Sequence, residues 1–90
     1  MASTVATSFD QNRALLTAAS QGNAGEILAL LKIGAKVSIV DKDKETALMK
    51  AARYGHFQVV QLLIEREAEV DAVNKYKETA LILLGKDIQK

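Results

Sequence analysis

Three acids alternate with lysines in Asp41-Lys42-Asp43-Lys44-Glu45, the spacing with which a calcium-binding loop begins. Such a loop also needs glycine at its sixth position and glutamate at its twelfth. Thr46 and Ala52 stand there, and the two lysines carry charge of the wrong sign between the acids. A solvated turn is the better reading. His56 is the only histidine and cysteine is absent, so neither a His/Cys metal cluster nor a His–His relay is available. Serines and threonines are numerous, but a nucleophile needs an activating base held beside it. His56 is the single obvious candidate, and no Gly-x-Ser-x-Gly elbow surrounds it. The five glycines, at 22, 25, 34, 55 and 85, are scattered and build no phosphate loop. These residues predict no enzyme, no metal and no cofactor.

The elements that must carry whatever remains follow from a repeat. Asp41-Lys42-Asp43-Lys44-Glu45-Thr46-Ala47-Leu48-Met49 recurs as Asn74-Lys75-Tyr76-Lys77-Glu78-Thr79-Ala80-Leu81-Ile82, an offset of 33 residues (74 − 41). The same step backwards maps Leu48, Ala51, Ala52 and Gly55 onto Leu15, Ala18, Ala19 and Gly22. It also maps Val60, Leu63, Ala68 and Val70 onto Ile27, Leu30, Ala35 and Val37. Each unit reads as two short helices. Thr46 is an N-cap, with Leu48, Ala51 and Ala52 falling on one helical face behind it. Gly55 ends that helix in a left-handed conformation, and Val59, Val60, Leu62, Leu63 and Ile64 stripe the second. Helices are predicted near 12–21, 24–33, 46–54, 57–66 and 79–85, with an extended stretch over Val70–Val73. Glu67, 33 residues after Gly34, is expected to share its left-handed, helix-ending conformation.

Composition agrees with closely packed helices. Nearly half of the 90 residues are hydrophobic, while Phe9, Tyr54, Phe57 and Tyr76 are the only aromatics. A core of Ala, Leu, Val and Ile follows, and the Ala51-Ala52 pair lets neighbouring helices approach closely. Twelve basic and eleven acidic side chains nearly cancel to a net charge of +1, which predicts neither a nucleic-acid nor a membrane-surface partner. Met1 to Ser8 lack the basic start and apolar stretch of a signal peptide. No apolar run is longer than Ala80 to Leu84, which is too short to span a bilayer. A soluble cytoplasmic protein is the expectation.

The repeat resembles the ankyrin repeat. Residues 41–73 are similar to one complete unit, with Thr46-Ala47-Leu48-Met49 standing where that family has Thr-Pro-Leu-His. Ala51-Ala52, Gly55-His56, Val59-Val60, Leu62-Leu63-Ile64 and Ala68-Glu69-Val70-Asp71-Ala72 match the rest of its pattern. Residues 12–40 resemble the family's amino-terminal capping repeat, and 74–90 resemble the first half of a third unit, after a flexible segment over 1–11. The departures are local. Lys44 and Lys77 replace the glycine usual at the hairpin tip, Met49 and Ile82 replace its histidine, and Leu84-Gly85 replaces the third Ala-Ala pair.

The resemblance implies an all-α solenoid and a non-catalytic module that binds a protein partner. Its concave surface, built from hairpin tips and inner helices, corresponds here to Ser20 and Gln21 in the first unit. In the second it corresponds to Lys42, Asp43, Glu45, Arg53 and Tyr54, and in the third to Lys75, Tyr76 and Glu78. Tyr54, Tyr76 and Arg53 are the expected hot spots, because Tyr and Arg are enriched among dominant contacts. The alternative is a structural role, as a capping piece or self-assembling unit of a solenoid. It rests on the half repeat, which is expected to leave Leu81, Leu83 and Leu84 partly uncovered and open to self-association.

Overall fold

A computed structural model describes residues 8–88, with side chains over 11–85. Five helices follow one another: α1 (Ser8–Gln21), α2 (Ala24–Lys32), α3 (Ala47–Arg53), α4 (Phe57–Glu65) and α5 (Ala80–Ile88). Three inner helices stack side by side, α3 packing on both α1 and α5. Each of the first two carries an antiparallel outer helix, α2 behind α1 and α4 behind α3, and the outer helices also touch.

The stacking explains the composition of α3. A helix flanked on both sides needs apolar residues almost all round. Ala47, Leu48, Met49, Ala51 and Ala52 are all at most 1% exposed. Alanine at 18, 19, 51 and 52 keeps the inner helices close, and the bulk is supplied by Leu15, Ile27, Leu48, Met49, Val59, Leu63 and Leu83. Met49 brings no polar atom into this layer, so the hydrogen bonds a histidine would seek there are not needed. Thr46 caps α3 as expected, its Oγ1 accepting from the Met49 N–H at 3.1 Å. Thr79 does the same for α5 through the Ile82 N–H at 3.3 Å.

All four helices of the first two units end in one way. A backbone N–H just beyond the helix, two or three residues past its end, reaches a carbonyl five residues back: Asn23 to Ala18, Ala35 to Leu30, His56 to Ala51 and Ala68 to Leu63. The preceding residue turns left-handed: Gly22 (φ 73), Gly34 (φ 108), Gly55 (φ 74) and Glu67 (φ 68). Glu67 thus shares the conformation of its repeat mate Gly34 despite its Cβ. Gly22 is constrained twice over, since a Cβ there would come within 2.6 Å of the His56 ring.

Three expectations need correction. The first helix starts at Ser8, not residue 12, because Asn12-Arg13 occupy the places of Glu45-Thr46 and no cap interrupts the chain at position 13. Residues 8–11 of the segment expected to be flexible are therefore helical, and residues 1–7 lie outside the described region. The final helix runs on through Gly85 to Ile88, since one helical glycine costs only about 1 kcal/mol. Val70–Val73 is not extended throughout. Val70 and Asp71 form a turn, as Val37 and Ser38 do one unit earlier, and a single bridge, Val40 to Thr46, is the β-structure among the described residues. No ladder holds the segment extended, because the backbone groups of Asn74, Lys77 and Glu78 pair within the next hairpin.

Candidate functional site

The hairpin tips are built by their first residue. Asp41 Oδ1 accepts from the backbone N–H groups of Asp43 and Glu45, both at 2.9 Å. Its carbonyl accepts from the Lys44 N–H at 2.9 Å, and its own N–H donates to the Glu45 carbonyl at 3.1 Å. Asn74 repeats the design. Its Oδ1 accepts from Tyr76 (2.8 Å) and Glu78 (3.0 Å), its carbonyl from Lys77 (3.0 Å), and its N–H donates to the Glu78 carbonyl (3.0 Å). These turns force a left-handed residue at the fourth position, and Lys44 (φ 63) and Lys77 (φ 64) accept it.

The two tips are locked together. The Lys75 N–H donates to the Asp43 carbonyl at 2.9 Å, and the Lys75 ammonium lies 3.0 Å from Asp43 Oδ1. Beneath them Glu45, only 3% exposed, gathers charge and amide donors from three directions. Its carboxylate pairs with Arg53 and with Lys50 (3.3 Å) and accepts from Asn74 Nδ2 at 3.0 Å. Asn74, 2% exposed, gives its other amide proton to Glu78 Oε1 at 2.9 Å. Lys50 also reaches Asp41 at 2.6 Å.

Charge states follow from these contacts. Burial pushes the Asp41 carboxyl up, but the Lys50 ammonium and two backbone N–H groups outweigh it and hold the pKa below its ordinary value. Burial likewise pulls Lys50 down, and Asp41 and Glu45 reverse that, leaving it raised. Arg53 is raised by its bond to Glu45, and Lys75, on the surface, is raised by Asp43. The carboxylates spaced like the start of a calcium loop are thus engaged by lysine, arginine, asparagine and backbone N–H groups. His56 acts as a tether between units: its Nε2 lies 2.9 Å from the Ser20 carbonyl and its ring packs over Gly22.

The residues expected on the concave face divide accordingly. Tyr54 (56% exposed), Tyr76 (63%), Gln21, Lys42 and Lys75 are open to solvent, and the Lys75 ammonium rests 5.3 Å from the centre of the Tyr76 ring. Ser20, Asp43, Arg53 and Glu78 are half-buried, each holding an internal partner. Glu45 departs from expectation. Expected on the surface, its side chain turns inward because three donors converge behind the tip. Lys50 and Asn74, the partners that orient it, were not foreseen. Position 45 is charged in a stretch that reads as loop, and only its partners reveal that it is buried.

Between α1 and the first tip lies a groove of about 570 Å³. Arg13, Thr17 and Ser20 line it from one face of α1, at spacings of four and three, and Ile39 to Lys42 form the opposite wall. Arg13, Thr17 and Ile39 are additions to the expected surface, and the helical spacing of the first two with Ser20 is the signal that would have found them. A family model described as ankyrin repeats, in three copies, matches residues 11–85. No curated protein matches the chain.

Proposed function

Because the chain belongs to the ankyrin-repeat family, whose members are generally protein–protein interaction modules, we propose that it binds a protein partner on its concave face without catalysis. The observation that carries this reading is the pair of exposed tyrosines, Tyr54 and Tyr76, flanking tips held rigid by the Glu45–Asn74 network. A tyrosine on a fixed backbone loses little side-chain entropy on binding and offers both an apolar ring and a hydroxyl. Lys42, Lys75 and Gln21 surround them with exposed polar groups, and Ser20, Asp43, Arg53 and Glu78 contribute the edges they leave uncovered. Glu45 is a positioning residue, since it holds Arg53 and the Asn74 tip from within. The α1 groove extends the surface towards the first unit.

Among the described residues no helix is long and apolar enough to cross a membrane. The proposed setting is the cytoplasm. The test is capture of a partner from cells that express the chain, followed by titration against the double variant Tyr54→Ala/Tyr76→Ala. The variant should bind at least about 2 kcal/mol more weakly while keeping its helical spectrum. Unchanged affinity moves the interface to another face.

A further inference from the structure

The two hairpin tips share one design but not one neighbour. In the Asn74 tip the Lys75 N–H donates to the Asp43 carbonyl at 2.9 Å, and the Lys75 ammonium lies 3.0 Å from the carboxylate of the same residue. One aspartate thus satisfies both groups of one lysine. The repeat mate of Lys75 in the Asp41 tip is Lys42 (75 − 42 = 33). Its partner would be Asp10, the mate of Asp43, but residues 8–13 are helical where 41–46 form a hairpin. Among the described residues the exposed Lys42 therefore has no acceptor for its N–H and no ion pair for its ammonium.

Beside that edge runs the groove of about 570 Å³ between α1 and the Asp41 tip. It is open because of a conformation within the chain, since α1 stays helical through the positions at which the next unit turns. Of the charged residues that line it, Arg13, Lys42 and Lys50 are basic. Asp41 is the one acid, already engaged by Lys50 and by two backbone N–H groups. Around the Asn74 tip the matching positions are engaged or buried. Lys50, the mate of Thr17, turns onto Asp41 and Glu45. Leu83, the mate of Lys50 and expected to be uncovered with Leu81 and Leu84, is 1% exposed, whereas Leu81 is 76% exposed and Leu84 half-buried. The molecule itself therefore shows what suits the Lys42 edge, namely a turn that offers an aspartate. A second copy offers none. Its Asp43 is already taken by Lys75, and the matching residue of the Asn74 tip is Tyr76, which has no carboxylate.

Resting on the concave-face reading, we propose that this groove takes an aspartate-bearing turn of the partner protein, seated as the hairpin that α1 does not form. The aspartate carbonyl accepts from the Lys42 N–H and its carboxylate meets the Lys42 ammonium, with Arg13 adding to the positive field.

The test uses the isotopically labelled full chain and two cyclised peptides. One has the sequence of residues 40–47 and displays the Asp43 turn; its twin carries Asp43→Asn. In the free chain the Lys42 N–H should exchange quickly and the Lys75 N–H slowly. On titration the Lys42 amide resonance should move and its exchange should slow. The aspartate peptide should bind about fivefold more tightly than its twin at low salt. Lys42→Ala should bring the two peptides to equal affinity. Lys42→Pro also removes the N–H and should weaken both by about a further fivefold. Proline suits the second position of a turn and the lost N–H has no partner, so the urea midpoint should stay in place. Equal binding of the two peptides to the parent, or a Lys42 amide that does not respond, overturns the proposal. So does a Lys42 N–H already protected in the free chain, whether by another stretch of it or by a second copy. A captured partner that ignores both Tyr54→Ala/Tyr76→Ala and Lys42→Pro refutes the concave-face reading and the groove together. One that is lost with the tyrosines yet keeps its full affinity for Lys42→Pro refutes the groove alone.

Discussion

Replacing Glu45 by alanine removes one carboxylate and leaves three donors facing the space it filled. Their losses differ. Lys50 keeps Asp41 at 2.6 Å and is little affected. Arg53, with 36% of its side chain exposed, can turn to water. Asn74 has the larger loss: it is 2% exposed, and although one amide proton stays on Glu78, the other is left without an acceptor. An unsatisfied buried donor costs about 1–3 kcal/mol, and a charge-assisted bond is worth about 1.5–3 kcal/mol. Discounted for the exposure of Arg53 and Lys50, the sum is about 2–3 kcal/mol. That is a sizeable part of the roughly 5–15 kcal/mol that holds a small domain together. An ion pair on an open surface would give about 0–1 kcal/mol, so the two situations are distinguishable. Urea unfolding followed by far-UV circular dichroism measures the difference. Glu45→Gln, which keeps the size and one acceptor, should fall between alanine and the parent. Amide exchange locates the effect: in Glu45→Ala the Lys75 N–H, bonded to Asp43, should exchange faster, while the Ala35 N–H in the first unit should not. If Glu45→Ala lies within about 0.5 kcal/mol of the parent, the network does not hold the tips and the reasoning fails.

Glu67→Gly should stabilise the chain by about 0.5 kcal/mol in the same assay. Relief of the left-handed strain at φ 68, about 1 kcal/mol, is partly offset by the greater entropy of the unfolded chain. Gly34→Glu, at φ 108, should cost about 1 kcal/mol, and a destabilising Glu67→Gly would break the equivalence of the two helix ends. Acid should weaken the hairpins through Asp41. Its folded pKa lies below its unfolded one, so its contribution is present above about pH 4 and is lost as pH falls through the folded value. In Asp41→Asn, which retains the turn-forming oxygen, the stability lost between pH 5 and pH 2 should be smaller than in the parent. An unchanged acid profile would mean that Lys50 does not hold Asp41 ionised.

The fold was legible because it repeats. Leu15, Leu48 and Leu81 recur in one register, as Leu30 and Leu63 do, and a helix cap at Thr46 with a left-handed break at Gly55 fixes the length of the helix between them with local chemistry. Where local chemistry is absent the reading failed. No cap stands at position 13, so α1 runs back to Ser8, and Gly85 has no turn behind it, so α5 runs on. The stretch Val70 to Val73, expected to be extended, opens instead on a turn at Val70 and Asp71. The site was legible by position and not by orientation. Asp41 and Asn74 organise their turns through contacts two and four residues away, which spacing reveals. The inward turn of Glu45 depends on Asn74, 29 residues on, and on Arg53 and Lys50 one helix away. Such convergence is a tertiary fact, and no local signal distinguishes Glu45 from the exposed Lys44 beside it.

The central claim is that the concave face, presented by the locked tips, is where a protein partner binds. Its most direct test is a titration of the isotopically labelled chain with a captured partner, following the backbone amide resonances residue by residue. The account predicts that the largest shifts fall on Thr17, Ser20, Gln21, Lys42, Arg53, Tyr54, Lys75 and Tyr76, with the outer faces of α2 and α4 unmoved. Shifts concentrated on exposed outer positions such as Leu28, Phe57 and Gln61, with the tips silent, would contradict it.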